Sequence, residues 1–136
     1  MEIKRIKPKI NSLLDMRAIA FSNLKDFSFL QRLKIRSAYL PIAILFSKYL
    51  FNNFYILIQD HKLLAFIIIR RNKIRSLFVK LDVKGRGYGS VLLDYVESAC
   101  KIKGYKFIYL KPTTQAKPFY EKRGYKKNKF YWYKDL

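Results

Sequence analysis

The sequence of 136 residues predicts a single α+β domain over 1–136, with a mixed, mostly antiparallel central sheet of about six to seven strands flanked by helices. Three observations predict this class. Three β-rich runs follow one another between residues 54 and 81, with short turns between them. A glycine cluster and an apolar pattern with helical spacing come directly after the third run. Two further β-rich runs follow, one on each side of a short helical pattern.

The N-terminal part of the chain carries the weakest pattern. The segment "MEIKRIKP" is typical of a short strand that ends at Pro8, and Asn11 or Ser12 is placed to cap a helix. The spacing in Leu24–Leu50 is mostly helical and is interrupted near Pro41. We expect these helices to cover the sheet. A helix on a membrane surface is the alternative for the basic part of this segment.

The middle of the chain predicts a hairpin and a third strand. The runs Phe54–Gln59 and Leu63–Arg71 are apolar enough for buried strands, and Asp60–Lys62 forms the turn between them. The third strand is Lys73–Leu81, after a second turn. The only histidine, His61, lies in the first turn, so we expect it to face solvent rather than take part in chemistry.

The C-terminal half predicts a helix, a strand, a short helix and a last strand. The apolar face of the first helix consists of Val91, Leu92, Tyr95, Val96, Ala99 and Ile102, with Cys100 near it and buried. Its polar face consists of Asp94, Glu97, Ser98 and Lys101. The helix ends at Gly104, and a strand follows over Tyr105–Lys111. The short helix has Pro118 in its first turn and ends before Gly124, and the last strand is Phe130–Tyr133.

The charge balance is strongly basic, with 29 Lys and Arg against 9 Asp and Glu and a formal net charge of +20. Such a chain attracts polyanions, although scattered lysines are also what an AT-rich genome encodes. No apolar run reaches the roughly 18 residues of a membrane span, and the N-terminus lacks the apolar region of a secretory signal. One cysteine excludes an internal disulfide and a cysteine-based zinc cluster. We expect a cytoplasmic or organelle-stromal protein without a transmembrane segment or metal.

Three of the five glycines lie within the segment "KGRGYGS", between a strand and a helix. Glycine permits positive φ and close approach of an anion, and the first turn of a helix offers unpaired N–H groups. The spacing matches neither the dinucleotide-binding motif nor the P-loop. A tight turn without a ligand is the alternative. The candidate phosphate-binding residues are Lys84, Gly85, Arg86, Gly87, Tyr88, Gly89 and Ser90.

Two segments resemble the signatures of the GNAT superfamily of acyl-CoA-dependent N-acyltransferases. The segment "LFVKLDVKGRGYGSVLL" resembles its motif A, Gln/Arg-x-x-Gly-x-Gly/Ala after the fourth strand. Lys84 stands where the family usually has Gln or Arg, whereas Gly87 and Gly89 match the two small positions. The segment "QAKPFYEKRGYKK" resembles A-x-x-F-Y-E-K-x-G-F/Y after the fifth strand. The resemblance covers about Phe54–Leu136 and implies a three-layer fold whose fourth and fifth strands splay.

The resemblance implies a co-substrate and its binding residues. The family binds acetyl-CoA or a related acyl-CoA, with the diphosphate on the glycine loop. The pantetheine arm pairs with the fourth strand, at positions that Phe78 and Val79 occupy here. Thr113 stands where the family often has Asn, which puts one pantetheine contact in doubt.

The resemblance also implies direct attack of an amine on the thioester. Tyr120 occupies the position of a tyrosine that protonates the leaving thiolate in many family members. Its alternative role is core packing. Several members carry a glutamate early on the fourth strand, but Lys73, Arg75 and Ser76 occupy that region here. We therefore name no general base.

Two functions remain open from the sequence, and a third possibility joins them, an acetyltransferase whose acceptor is a protein bound to RNA. The first is an N-acetyltransferase, monomeric or homodimeric, that moves the acetyl group of acetyl-CoA to a primary amine on a small molecule or protein. The alternative is a basic nucleic-acid- or ribosome-associated protein on the same fold with little or no activity. The run "FYWY" could stack bases, but strand alternation explains it better, with Phe130 and Trp132 on one face and Tyr131 and Tyr133 on the other. We therefore expect these rings to lie in the core or in the wall of the acceptor pocket. Nucleic acid is thus a possible but not a favoured partner.

Overall fold

The computed structural model of the chain describes residues 1–6, 15, 16, 18–20, 22 and 53–136. Residues 15, 16, 18–20 and 22 are helical. The predicted cap at Asn11 or Ser12 and the predicted helical segment Leu24–Leu50 lie outside the described residues.

The described residues form one mixed sheet of seven strands in the order β1-β2-β3-β4-β5-β7-β6. All neighbouring strands pair antiparallel except β4 and β5, which are parallel. This arrangement confirms the predicted fold class. The strands are β1 Glu2–Ile6, β2 Asn53–Gln59, β3 Lys62–Arg70, β4 Lys73–Val79, β5 Phe107–Leu110, β6 Lys126–Lys127 and β7 Trp132–Asp135.

The hairpin of β2 and β3 turns at two residues with left-handed backbone. Asp60 has φ 50° and His61 has φ 59°. Positive φ at both central residues matches the twist of the flanking strands in a two-residue hairpin. His61 is exposed in this turn, as predicted.

The sheet is covered on both faces in its N-terminal half. Six consecutive residues of β3 are buried, and from Ala65 to Ile69 they alternate between two cores. One core contains Ala65 and Ile67 together with the helix that follows the glycines. The other contains Phe66 and Ile68 together with the helical residue Met16. The fold therefore has three layers, helix, sheet and helix.

Two helices lie in the C-terminal half of the chain, one after β4 and one after β5. Helix α1 is Tyr88–Ile102 and helix α2 is Lys117–Lys122; short 3₁₀ turns at Leu81–Val83 and Thr114–Ala116 precede them. Pro118 lies in the first turn of α2, and Gly124 follows its end with φ 81°, as predicted.

The buried face of α1 differs from the predicted one. Its centre is Leu92, Leu93, Val96 and Cys100, all fully buried. Tyr95 and Ile102, predicted to be apolar-face residues, are 42% and 87% exposed. Glu97, predicted on the polar face, is only 8% exposed, because partners on two distant segments pair with it. Leu93 takes the place predicted for Tyr95 in the core, so the buried face is rotated about the helix axis relative to the predicted one.

The predicted last strand, Phe130–Tyr133, is placed two residues too early. A turn occupies its first half: Oδ1 of Asn128 accepts hydrogen bonds from the N–H groups of Phe130 and Tyr131, at 2.9 and 2.8 Å. Phe130 is therefore 68% exposed and does not share a face with the buried Trp132. The turn also produces β6, which the sequence did not predict.

Candidate functional site

Strands β4 and β5 are paired only where β4 begins. In the described residues their register contains one pair, Lys73 with Tyr109. The N–H group of Tyr109 donates to the carbonyl of Asn72 at 3.0 Å, and Nδ2 of Asn72 donates to the carbonyl of Phe107 at 3.0 Å. β4 then continues to Val79 beyond this pair. The two central strands thus part along β4, as the predicted splay requires.

The loop after β4 contains two glycines with left-handed backbone. Gly85 has φ +84° and Gly87 has φ +85°, and a Cβ on either would meet nothing within 4 Å. An L-residue in this conformation costs roughly 1–2 kcal/mol. These two glycines therefore serve the backbone path of the loop rather than the packing of neighbours.

Helix α1 begins at this loop with its first turn uncapped. Gly87 is the N-cap residue, and the first helical bond runs from the N–H of Val91 to the carbonyl of Gly87, at 3.1 Å. No side chain in the described part of the chain bonds the N–H groups of Tyr88–Ser90, and the first turn has no acidic residue. Lys84 and Arg86 are exposed beside it. The arrangement is a positively charged helix N-terminus with N–H groups available to an anion.

The third glycine of the loop has a different role. Gly89 is buried, and a Cβ on it would lie 3.3 Å from Cγ2 of Val79 and 3.7 Å from Cζ of Phe119. Its small size lets the first turn of α1 lie against the end of β4 and against α2. The glycine loop, the far end of β4 and the helix of Tyr120 are thereby brought together.

Tyr120 is a buried phenol next to this contact. It is 4% exposed and belongs to the core cluster that receives side chains from both β4 and β5. Its ring makes edge contacts with Phe119 and Tyr125, with centroids 5.0 and 5.2 Å away. Burial raises the pKa of Tyr120 well above its ordinary value of 10.0. The phenol therefore remains protonated at neutral and mildly alkaline pH.

The two predicted pantetheine-pairing residues lie at the end of β4, with side chains on opposite faces. Val79 packs against the core of α1, whereas Phe78 packs against the other core, with its ring 5.4 Å from that of Phe66. Thr113 lies three residues after β5, where its carbonyl accepts from the N–H of Ala116 at 3.1 Å. Phe78 and Val79 thus lie at the end of β4, and Thr113 lies in the segment that follows β5.

The carboxylates near the site are engaged in other contacts. Asp82 pairs with Lys80 at 2.8 Å, and this hydrogen bond lowers the pKa of Asp82. Glu121 is exposed, and Arg123, two residues later, pairs with Asp94 of α1. The described residues contain no group of three or more side chains that could hold a metal ion.

A buried polar cluster behind Tyr120 was missed by the sequence analysis. Glu97 Oε1 accepts a hydrogen bond from the hydroxyl of Tyr125 at 3.0 Å, and Glu97 Oε2 accepts from Nζ of Lys134 at 2.6 Å. Burial and the charge of Glu97 raise the pKa of Tyr125. The ring of Tyr125 in turn packs against Tyr120. The one available signal was the position of Glu97 directly beside Val96 on the apolar arc.

Two comparisons with known proteins agree on the fold. A model of the acetyltransferase (GNAT) domain family matches residues 47–132. No curated protein sequence matches the chain significantly. In the described parts of the chain, no helix has the length and apolar character to span a membrane.

Several solved structures share the architecture at low sequence identity. A GCN5-related N-acetyltransferase from Rhodopseudomonas palustris superposes with a TM-score of 0.82 at 19% identity, covering 99% of this chain and 95% of its own. PaiA N-acetyltransferase from Thermoplasma acidophilum, in complex with coenzyme A, gives 0.76 at 22% identity and full coverage of both chains. An acetyltransferase of the GNAT family from Staphylococcus aureus Mu50 gives 0.71 at 19% identity, with 99% of each chain covered.

Proposed function

Because the chain belongs to the GNAT acetyltransferase family, we propose that it transfers the acetyl group of acetyl-CoA directly to a primary amine. The observation that carries the proposal is the uncapped first turn of α1, placed where β4 and β5 have parted. An anion-binding helix end beside an opened sheet suits a ligand with a diphosphate and a long thioester arm. The structure of the similar protein PaiA N-acetyltransferase was solved in complex with coenzyme A.

The diphosphate is assigned to the glycine loop. The N–H groups of Gly87–Ser90 and the positive end of the α1 dipole supply donors, and Lys84 and Arg86 supply charge around them. A contribution of about 0.3–1 kcal/mol is typical for a charge at an exposed helix end. Several N–H donors acting on one diphosphate increase this total, so the loop anchors the nucleotide half of the ligand.

The pantetheine arm is assigned to the gap between β4 and β5. It runs from the loop along Phe78 and Val79, with Thr113 on the side of β5. The contact among Gly89, Val79 and Phe119 supports this direction, because it links the loop to the helix that carries Tyr120. The thioester end of the arm then reaches the region of the buried phenol.

Acetyl transfer requires a free amine and a stabilised leaving group. The amine nitrogen attacks the thioester carbonyl, and the tetrahedral intermediate collapses to the amide with loss of the thiolate of CoA, while the nitrogen releases one proton to solvent. A phenol of ordinary pKa is about 1.5 units less acidic than a thiol, so full proton transfer is uphill by about 2 kcal/mol. Burial of Tyr120 increases this difference. We therefore assign Tyr120 the role of hydrogen-bond donor to the developing thiolate, with the proton retained largely on the phenol.

The acceptor is assigned only as a primary amine. Lys73 and Arg75 occupy the part of β4 where several family members carry a glutamate, so no described side chain there removes the ammonium proton. The net charge of +20 disfavours polycationic acceptors, since they are repelled before they reach the site.

The proposal is tested by binding and turnover with the full chain. A hundredfold excess of acetyl-CoA over its Kd should stabilise the fold by about 2.7 kcal/mol, which raises Tm by about 5–10 °C. Pantetheine, which lacks the diphosphate, should have a much smaller effect. With a panel of small amines, amino acids and free peptide N-termini, at least one acceptor should release free thiol. Absence of both the thermal shift and thiol release would contradict the proposal.

A further inference from the structure

The C-terminal half of the sheet carries a row of aromatic side chains on the face opposite α1. The alternate residues Ile108, Leu110 and Trp132 are buried in the core of α1, so their neighbours along the strands point the other way. We call this row the aromatic face. It consists of Phe107 and Tyr109 of β5, Tyr133 of β7 and the preceding Tyr131.

The rings of the aromatic face form a continuous path. Centroids are 6.0 Å apart for Phe107 and Tyr109, 5.0 Å for Tyr109 and Tyr131, and 6.3 Å for Tyr131 and Tyr133. None of these four side chains belongs to either core cluster of the described residues. Phe107 is 36% exposed, and the three tyrosines are half-buried. The row is therefore partly accessible and lies outside both cores of the described residues.

Lysines border the aromatic face on both sides. On the β4 side, Nζ of Lys73 lies 5.8 Å from the ring centroid of Tyr109. On the β6 side, Lys126 is the cross-strand partner of Tyr133 and is exposed. One carboxylate, Asp135, stands opposite Phe107 at one end. Since β4, β5, β7 and β6 are consecutive in the sheet, the cations lie on the outer strands and the rings on the inner two.

This order matches the chemistry of a single-stranded nucleic acid. Unpaired bases stack on exposed aromatic rings, and cations beside the rings hold the phosphates of the same strand. A duplex hides the faces of its bases, and an acidic peptide would use the lysines but not the rings. The net charge of +20 adds long-range attraction for a polyanion.

We propose that the aromatic face binds single-stranded nucleic acid, with bases stacked on Tyr109 and its neighbours and phosphates held by Lys73 and Lys126. The proposal does not depend on acetyl transfer, because the glycine loop and Tyr120 pack with the core on the other face. Net charge alone would indicate only attraction to polyanions, whereas this proposal assigns base stacking to named rings.

The test is fluorescence anisotropy of a labelled 20-nucleotide oligo(dT) strand with the full chain. Replacing Tyr109 by leucine keeps an apolar side chain but removes the ring. We expect Tyr109→Leu to weaken binding at least about fivefold without changing the salt dependence. Lys73→Gln should lower the slope of log affinity against log salt by about 0.7, the value for one phosphate contact of a single strand.

If Tyr109→Leu fails to fold, two further experiments still test the proposal. One uses a matched control variant, and the other uses the unaltered protein. Lys103→Gln removes the same charge at the far end of α1, where Lys103 is exposed, and should change affinity less than twofold. An abasic strand of equal length has the phosphates but no bases and should compete at least tenfold more weakly. The proposal is wrong if the abasic strand or polyglutamate competes as well as oligo(dT). It is equally wrong if Lys103→Gln reproduces the effect of Lys73→Gln.

Discussion

At the scale of single residues, the burial of Tyr120 determines which role this side chain can take in the proposed reaction. The ring is enclosed by Phe119 and Tyr125, and the resulting loss of solvation raises the pKa of the hydroxyl. A phenol in this state is a poor proton source but a permanent hydrogen-bond donor. Its contribution should therefore appear in the step that generates the thiolate and not in binding of the co-substrate.

Substitution of Tyr120 by phenylalanine tests this role. We expect Tyr120→Phe to lower kcat about 100-fold, at the lower end of the range for losing one hydrogen-bond donor to a developing anion, while the Kd of CoA stays within twofold. Steady-state thiol release and calorimetric titration measure the two quantities. The control is Tyr88→Phe, since the hydroxyl of Tyr88 is engaged with Oε1 of Gln59 at 3.3 Å and its proposed role uses only the backbone. Equal losses of kcat in both variants would contradict the assignment.

The raised pKa of Tyr120 also predicts a pH dependence of stability. In the unfolded chain the phenol ionises near pH 10.0, whereas in the folded protein it ionises at higher pH. The stabilising contribution of the protonated phenol is therefore complete below pH 10 and is lost as the pH rises above it. Between pH 10 and 11, the unfolding free energy of Tyr120→Phe should fall less steeply than that of wild type, by up to about 1.4 kcal/mol per unit. Urea unfolding at several pH values measures this free energy. If it fell equally steeply with pH in wild type and in Tyr120→Phe, the prediction would be contradicted.

Among the elements, α1 is held to the sheet by more than apolar contacts. Glu97 in its third turn pairs with Lys134 on β7 and accepts from Tyr125 after α2. One side chain thereby connects α1 to the segment that supports the ring of Tyr120. Because Glu97 is nearly buried, its partners are costly to remove.

The substitution Glu97→Gln keeps the shape of the side chain and removes its charge. We expect it to lower the free energy of unfolding by about 1–3 kcal/mol, the range for hydrogen bonds to a charged group. The control is Asp94→Asn on the same helix, whose pair with Arg123 is half exposed and should contribute less than about 1 kcal/mol. Urea titration compares the two. Losses of equal size would show that burial of Glu97 is unimportant.

The elements also show where sequence reasoning succeeds and where it stops. The strand, glycine loop and helix of residues 73–102 were predicted because their signals are local, in glycine positions and apolar spacing. Glu97 was assigned to the wrong face because its partners, Tyr125 and Lys134, are distant in sequence and are brought near only by the fold. The last strand was shifted because a single side chain, Asn128, forms a turn within the β-rich run.

The whole molecule carries a charge that the fold must tolerate. With a net charge of +20 over 136 residues, repulsion among lysines opposes the compact state. The described ion pairs Lys4–Glu2 and Lys80–Asp82 are largely exposed and offset little of it. The fold class was predictable despite this charge, because the order of strands and helices does not depend on it. The functional significance of the charge could not be predicted from the sequence, because it depends on which faces of the folded protein the cations occupy.

Self-repulsion predicts a salt dependence of thermal stability. The screening length falls from about 30 Å at 0.01 M salt to about 8 Å at 0.15 M. We therefore expect Tm to rise by a few degrees when NaCl is increased from 10 to 150 mM in a buffer without phosphate. Differential scanning calorimetry measures the change. A Tm that is constant or falls over this range would mean that the cations are already neutralised in the folded state.

The central claim is that the backbone of the glycine loop binds the diphosphate of CoA, and two glycines allow it to be tested directly. Gly87 and Gly104 have nearly equal φ, +85° and +83°, and neither has an atom within 4 Å of an added Cβ. Alanine at either position should therefore impose similar backbone strain, roughly 1–2 kcal/mol, but only Gly87 lies at the start of α1.

The measurement is the Kd of CoA for wild type, Gly87→Ala and Gly104→Ala, by calorimetry at a temperature where all three are folded. We predict that Gly104→Ala binds CoA as wild type does, whereas Gly87→Ala binds at least tenfold more weakly. Equal Kd values for the two variants would contradict the assignment of the diphosphate to this loop.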